Sequence, residues 1–373
     1  HILWETSDQH DKDTVEHLDI GAFKLKFAPI KMKVGKTETS IASLWLEWKG
    51  RRAYDGIVFS PGQHKEVTTG LNGSRKTYFN LWRGFAYPPA AVGSTHPAVD
   101  LFLDHLRSNV CAGQADLAHW VIGFFAHLVQ QPWNKPQVAL VFRGGKGVGK
   151  TILVEIIGDL IGRHAFIVSN PRYLKSTFNG YLESCLMITF DEALWSGDKQ
   201  AEGVLKHLIT GKDHTIEHKG KEPFVVDNKT RVMIIGNEDW LVPASNDERR
   251  FTVLDVGAGR KQDRAFFSAM RNGMEQGGYP VLLRYFMDYP LSGLDFNEAP
   301  ATEGLADQKI HSLNPMHQWW HTCLTDGRII GAEFEGWPTT VDCERLRLAF
   351  MRYNKERRVT LWMHEDLKMG KLL

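Results

Sequence analysis

The chain has 373 residues, 43% hydrophobic and 24% charged, a composition that excludes disorder and sets an expectation of two or three domains. Lys and Arg number 45 against 44 Asp and Glu, so the formal net charge is only +1 and any polyanion contact must come from a local patch. Cys111, Cys185, Cys323 and Cys343 form no CxxC pair, which argues against a disulfide framework and a zinc ribbon and suits a reducing compartment.

No run of 18 apolar residues occurs, so no membrane partner is expected, and His1 to Thr6 carry no secretory signal. The chain does not begin with Met and reads as a fragment, the C-terminal part of something larger and cytoplasmic.

Residues 1–95 read as a small, mostly β accessory region. Phe23, Leu25 and Phe27 alternate with Lys24 and Lys26, the period of a half-exposed strand. From Gly21 to Arg52 eight basic residues (Lys24, Lys26, Lys31, Lys33, Lys36, Lys49, Arg51 and Arg52) face only Glu38 and Glu47, with Trp45, Trp48 and Tyr54 among them. Such a mixture either holds single strands or is a solvated face over a Trp-rich core. Pro88, Pro89 and Gly93 then punctuate the chain, and a helical segment is expected over 96–136.

Over 137–256, β-branched runs at 138–142, 186–190 and 232–235 alternate with helical patterns at 151–161 and 202–208. That order predicts an α/β core with a parallel sheet flanked by helices. A helical subdomain with a linker is expected over 257–314, and a small α+β unit over 315–373. The basic residues Arg345, Arg347, Arg352, Lys355, Arg357 and Arg358 make a supporting patch there.

Directly after the first run stands Gly144-Gly145-Lys146-Gly147-Val148-Gly149-Lys150-Thr151, a fit to G-x-x-x-x-G-K-[ST]. Glycines let the loop wrap phosphates with its N–H groups inward. Lys150 would reach the β- and γ-phosphates of ATP, and Thr151 would place its hydroxyl on Mg2+. The positive end of the following helix adds to the attraction.

The second run ends in Asp191-Glu192. A carboxylate at the tip of a parallel strand beside that loop is placed for the Mg2+ shell, and the adjacent Glu192 for activating water. The third run ends in Asn237, an uncharged amide able to touch both γ-phosphate and water. Asp247-Glu248-Arg249-Arg250 follows, and one arginine suits a finger acting on a neighbour's nucleotide while the other makes a structural ion pair. Arg250 is the first choice and Arg249 the second.

The order of loop, strand-Asp-Glu, strand-Asn and arginine pair resembles the superfamily 3 helicases, AAA+ ATPases of viruses, phages and plasmids. It is most similar to the helicase portion of phage and poxvirus-type primase-helicases and primase-polymerases, whose approach segment Tyr78-Phe79-Asn80-Leu81-Trp82-Arg83-Gly84-Phe85 also resembles. The resemblance implies a P-loop AAA+ core, a hexameric ring, translocation on single-stranded DNA and residence in the host cytoplasm. It makes Lys150, Thr151, Asp191, Glu192 and Asn237 the nucleotide machinery. It also implies a pore hairpin between the second and third strands, with Gly220 at its tip and Lys219, Lys221 and His218 as DNA contacts. A primase or polymerase would lie upstream of His1.

A DNA-packaging ATPase would need a nuclease-type acidic cluster, which is not found. A nucleotide-gated assembly module is disfavoured by Glu192. The i, i+4 pairs His214/His218 and His317/His321 lack the further ligands of a zinc site.

Overall fold

The computed structural model describes residues 2–7, 13–71, 74–170, 176, 178–191, 199–219, 222–333 and 336–357. Its N-terminal region departs most from expectation. A hairpin, β1 (Ile2–Ser7) with β2 (Asp13–Leu18), leads into helix α1 (Ile20–Lys26), where a strand was expected. Phe23 and Phe27 satisfy i, i+4 as well as period 2, and their rings meet at 5.0 Å. The Asp19 side chain accepts the N–H of Ala22 and starts the helix, and Leu25 is left 78% exposed.

A second hairpin, β3 (Lys31–Val34) with β4 (Thr37–Ser40), is followed by helix α2 (Ile41–Glu47), capped by Ser40. The region is thus mixed and, as expected, mostly β, its two seven-residue helices set among strands. A three-stranded sheet completes it, with β7 (Ser74–Asn80) between β5 (Gly56–Val58) and β6 (Glu66–Leu71).

Helix α3 (Pro97–Asp104) widens into a π-helical turn, His105–Val110, before the long helix α4 (Ala115–Gln130). The central sheet follows. Strand β8 (Ala139–Arg143) feeds helix α5 (Lys150–Ile161), then come β9 (Ala165–Val168), β10 (Met187–Asp191) and helix α6 (Lys199–Thr210). Hairpin β11 (Asp213–Ile216) with β12 (Phe224–Asp227) interrupts the alternation before β13 (Arg231–Gly236) and β14 (Phe251–Asp255).

The sheet is five-stranded and parallel in the order β14–β8–β13–β10–β9. The three expected strands are its centre, and β9 and β14 are its edges. Alternation is visible even though both faces are covered. Leu140, Phe142, Met233 and Ile235 pack with α3, α4 and α5, whereas Ala139, Val141, Val232 and Ile234 pack with α6.

Arg231 lies fully buried at the start of β13 and donates to the carbonyls of Gln131 (2.9 Å), Pro132 (3.2 Å) and Asn134 (2.8 Å). It thus ties the exit of α4 to the centre of the sheet with charge-assisted bonds.

Beyond the sheet, α7 (Arg264–Gly273) and α8 (Tyr279–Asp288) pack back onto α3 and α4, and α9 (Glu303–His311) packs on β14. Arg143, at the end of β8, bonds Asp255 (2.9 Å) and Asp307 (2.8 Å) and so fixes α9 to the sheet.

The C-terminal unit was expected to be α+β. Its described residues form helices α10 (Pro315–Asp326) and α11 (Cys343–Glu356) and no strand. Asn314 and Asp342 cap the two helices, and Trp319 meets Phe350 at 5.4 Å between them. Residues 358–373, including Arg358, lie outside the described residues. No described helix is long and apolar enough to cross a membrane.

Candidate functional site

The loop joining β8 to α5 is the centre of a cleft of about 1090 Å3. Its shape depends on residues without a Cβ. At Gly144 a Cβ would come within 2.9 Å of the Val256 carbonyl oxygen. Gly149 takes φ +98° as the residue before α5, and a Cβ there would lie 2.5 Å from the Phe267 ring and 2.7 Å from His105 Cε1. Gly149→Ala is therefore expected to weaken nucleotide binding at least tenfold, which titration calorimetry measures directly.

Lys150 opens α5 and is buried to 7% exposure. Its ammonium donates to the carbonyls of Gly144 and Gly145 (2.8 Å for the latter) and to Asn237 Oδ1 at 2.9 Å. Asn237 reaches it because β13 lies directly beside β8, with Gly236 opposite Arg143. Asp191 stands at the same edge, since it pairs with Ile235 at the end of β10. Thr151 and Asp191 both line the cleft, as do Lys146, Gly147 and Val148.

The donor set fits a phosphate chain: a buried cation, a helix N-terminus and close-packed loop N–H groups. Thr151 and Asp191 offer hard oxygens of the kind Mg2+ prefers. Glu192, expected as the base, lies outside the described residues.

Side chains distant in sequence clasp the loop from outside. The π-helical turn puts His105 and Asn109 on one side of it. Asn109 Nδ2 donates to the Val148 carbonyl (3.2 Å), and His105 Nε2 lies 3.3 Å from that of Gly149. From the opposite side, the Gln262 N–H bonds the Gly147 carbonyl at 2.9 Å. Burial pushes the His105 imidazole below its usual range, against a smaller upward pull from its bond to the Gly149 carbonyl.

Helix α7 forms the far wall with Arg264, Phe267, Ser268 and Arg271, one helical face at i, i+3, i+4 and i+7. Arg271 is ion-paired with Glu155 of α5. None of these residues was singled out from sequence. The polar stripe on an otherwise amphipathic α7 was the available signal.

Arg249 and Arg250 are not brought to the cleft. They precede β14 at the opposite edge of the sheet, where the Arg250 carbonyl accepts the Ala139 N–H at 2.7 Å. Five parallel residues separate the two edges, roughly 16 Å. Arg250 makes a two-pronged pair with the buried Glu248 (3.0 and 3.1 Å). Arg249 is exposed, and no carboxylate among the described residues pairs with its guanidinium.

The expected hairpin is present as β11–β12. Lys219 is exposed near its tip, and Gly220 and Lys221 lie outside the described residues. His218 instead turns inward to Glu183 (3.1 Å) and stacks on Phe224. Asn179 bridges the hairpin base to the segment leading into β10, donating to the Thr215 carbonyl (2.8 Å) and accepting from the Glu217 N–H (2.9 Å). Among the described residues no cluster of three or more His, Cys, Asp or Glu is disposed to hold a metal.

The fold and this cleft define a mixed α/β protein built on a five-stranded parallel sheet flanked by helices. A family model described as a family of unknown function (DUF5906) matches residues 142–250. The chain is also similar to the DNA primase-polymerase of Nitratiruptor phage NrS-1, 28% identical over 183 residues, which are 48% of this chain. That match spans only 25% of the relative's length.

The apo structure of the NrS-1 C-terminal region superposes with a TM-score of 0.62 at 18% identity, over 98% of this chain and 83% of that one. An A-form apo structure of the same region gives 0.61 at 21% identity, over 80% and 73%. The two share this chain's fold.

Proposed function

We propose that the chain is the motor portion of a replication protein from a phage or other mobile element. In this reading it is an ATP-dependent, ring-forming DNA helicase of the superfamily 3 type with an AAA+ P-loop core. Its similarity to a phage DNA primase-polymerase supports a replication setting and a primase or polymerase segment upstream on the same polypeptide.

One observation carries the reading. The buried Lys150 ammonium is held among the glycine loop carbonyls and Asn237 at the tip of the adjacent strand, with Asp191 one strand further along the same edge. A cation and an amide focused on one point fit the transferred phosphoryl group of ATP.

Loop residues Gly144 to Gly149 wrap the phosphates, and Lys150 neutralises the terminal ones. Mg2+, held by Thr151 and Asp191, would supply further charge neutralisation there. Glu192 accepts the proton of the attacking water while the water oxygen bonds to the γ-phosphorus. The bridging oxygen then leaves with ADP, and Asn237 orients the water and the departing phosphate.

Arg249 is the finger in this reading. From the far edge of the sheet it can meet only a neighbour's nucleotide, whereas Arg250 is occupied by Glu248. Binding between subunits supports a closed ring, taken as a hexamer. Lys219 and Lys221 are the strand contacts in this reading, and His218 braces the hairpin against Glu183.

Phosphate release measured with and without single-stranded DNA tests the reading. DNA should stimulate turnover severalfold. Adding Arg249→Ala subunits to wild-type rings should lower activity more steeply than dilution alone. Turnover indifferent to the strand would return the chain to a nucleotide-gated assembly role, and a strictly proportional loss would remove Arg249 from the neighbour's site.

A further inference from the structure

Residues 18–52 form a small unit of their own, in which α1, hairpin β3–β4 and α2 close over Phe23 and Ala42 with Leu18, Phe27, Trp45 and Leu46 packed against them. Of the three aromatic residues that stand among its cations, two are occupied. Trp45 lies in that core, 5.2 Å from Phe23. Tyr54 donates its hydroxyl to Glu66 at 2.8 Å and packs on Phe79.

Trp48 is different. It is 60% exposed, yet its indole lies over Gly50, where a Cβ would come within 2.7 Å of ring atoms Cε2 and Cζ2. The ring is thus held against a bare backbone with its other face open. The turn is fixed beneath it, because the Arg51 guanidinium bonds the Leu46 carbonyl and the Arg51 N–H bonds that of Trp48 (3.2 Å).

Lys49, Arg51 and Arg52 follow this ring in the same turn, and all three are exposed, Arg52 beside the Tyr54 hydroxyl. Lys31 and Lys33 share one face of β3, with both faces of that strand in solvent. The Ile41 N–H bonds the Ile30 carbonyl, so the hairpin is seated at the start of α2 and the Trp48 turn at its end. Seven residues of α2 span about 10 Å, which sets the distance between the two. Asp19, Glu38 and Glu47 cannot balance eight cations within the unit.

A fixed, open indole among surplus cations suits a partner that presents flat rings and regularly spaced anions together. Duplex DNA supplies the anions but keeps its base faces stacked. An apolar protein surface would have to desolvate the cations. We infer that this unit is a second single-stranded nucleic-acid surface, separate from the nucleotide cleft and the hairpin, stacking a base on Trp48 while Lys31, Lys33, Lys49, Arg51 and Arg52 meet phosphates. Stacking of this kind with cationic flanks is how sequence-tolerant strand binders work.

The test is fluorescence anisotropy of a labelled oligo-dT strand with the whole chain and no nucleotide, across a series of salt concentrations. Trp48→Ala should weaken binding by about fivefold or more, and Trp48→Phe should restore most of it. The double variant Lys31→Glu/Lys33→Glu should weaken binding and flatten the salt slope by more than one unit. DNA-free ATP turnover should be unchanged in all three.

Lys150→Ala should bind the strand as the unaltered chain does, which separates failure of this surface from failure of the motor reading. Equal affinity of Trp48→Ala at every salt concentration overturns the inference. So does duplex binding that matches single-strand binding and ignores Trp48. A change of oligomeric state in the charge-reversed variant would instead make the face a contact between copies, and would also overturn it.

Discussion

Replacement of Lys150 by alanine is expected to lower ATP turnover by at least a hundredfold while leaving the molecule folded. The ammonium is 7% exposed and converges with Asn237 on one point of the cleft, so its charge acts in a partly water-excluded place where preorganised donors are strongest. Loss of one such donor elsewhere costs about 3 to 4 kcal/mol of transition-state stabilisation.

The stability cost is smaller. Two loop carbonyls and Asn237 Oδ1 lose a donor, about 1 to 3 kcal/mol each if left dry, but the cleft is open to water that can replace it. Lys150→Ala should therefore show a melting temperature within a few degrees of the parent and calorimetric nucleotide binding reduced by more than tenfold. Turnover within threefold of the parent would remove Lys150 from the phosphate site and the motor reading with it.

The second large effect is acid lability from histidines folded in their neutral form. Burial pushes His127, His164 and His214 down to about 4, with Arg231, Arg163 and Arg83, and Lys135 and His207 respectively adding to the depression. His164 shows why. It is fully buried, stacked on Trp82 at 4.9 Å, with Nε2 accepting the Arg83 N–H (3.1 Å) and Nδ1 directed to the Ser184 carbonyl (2.8 Å). A second proton at Nε2 would meet that N–H head on.

The unfolded chain takes up these protons near pH 6.5, and the folded one only near 4. Stability is thus fully present above pH 6.5 and declines as the pH falls from 6.5 toward 4. Each group contributes about 1.4 kcal/mol per pH unit inside that window. From pH 7 to 5 the three together remove about 6 kcal/mol, comparable with the whole stability of a typical domain. Urea midpoints measured at half-unit steps should fall steeply below pH 6, with two to three protons taken up on unfolding near pH 5.5. A flat profile between pH 7 and 5 would show that these rings are protonated in place or reached by water.

What could be read from sequence follows how local each cause is. The strand–loop–helix from Ala139 to Ile161 is written in adjacent residues: a buried apolar run, glycines where only glycine fits, then a helix. Asp191 and Asn237 were legible as strand tips for the same reason. The order that places β13 between β8 and β10 was not, although it is what brings Asn237 to Lys150.

Edge strand β9 has only four residues with one buried, and in β14 the apolar run is broken by Thr252, so neither stands out. Helix α1 was mistaken for a strand because Phe23 and Phe27 fit both periods, and the Asp19 cap that decides between them is a single side-chain bond. Arg249 and Arg250 cannot be separated by sequence, because what distinguishes them is a contact, the bond from Arg250 to the buried Glu248.

His105, Asn109, Gln262 and Phe267 could not be found by motif, since they reach the loop from about 40 residues upstream and more than 100 downstream. That arrangement has a practical corollary for anyone cutting the gene into pieces. The stretch matched by the family model, 142–250, contains the glycine loop yet omits every one of those four residues. A fragment trimmed to those borders would carry the signature without its scaffolding, and one that keeps all four must span at least residues 105–267.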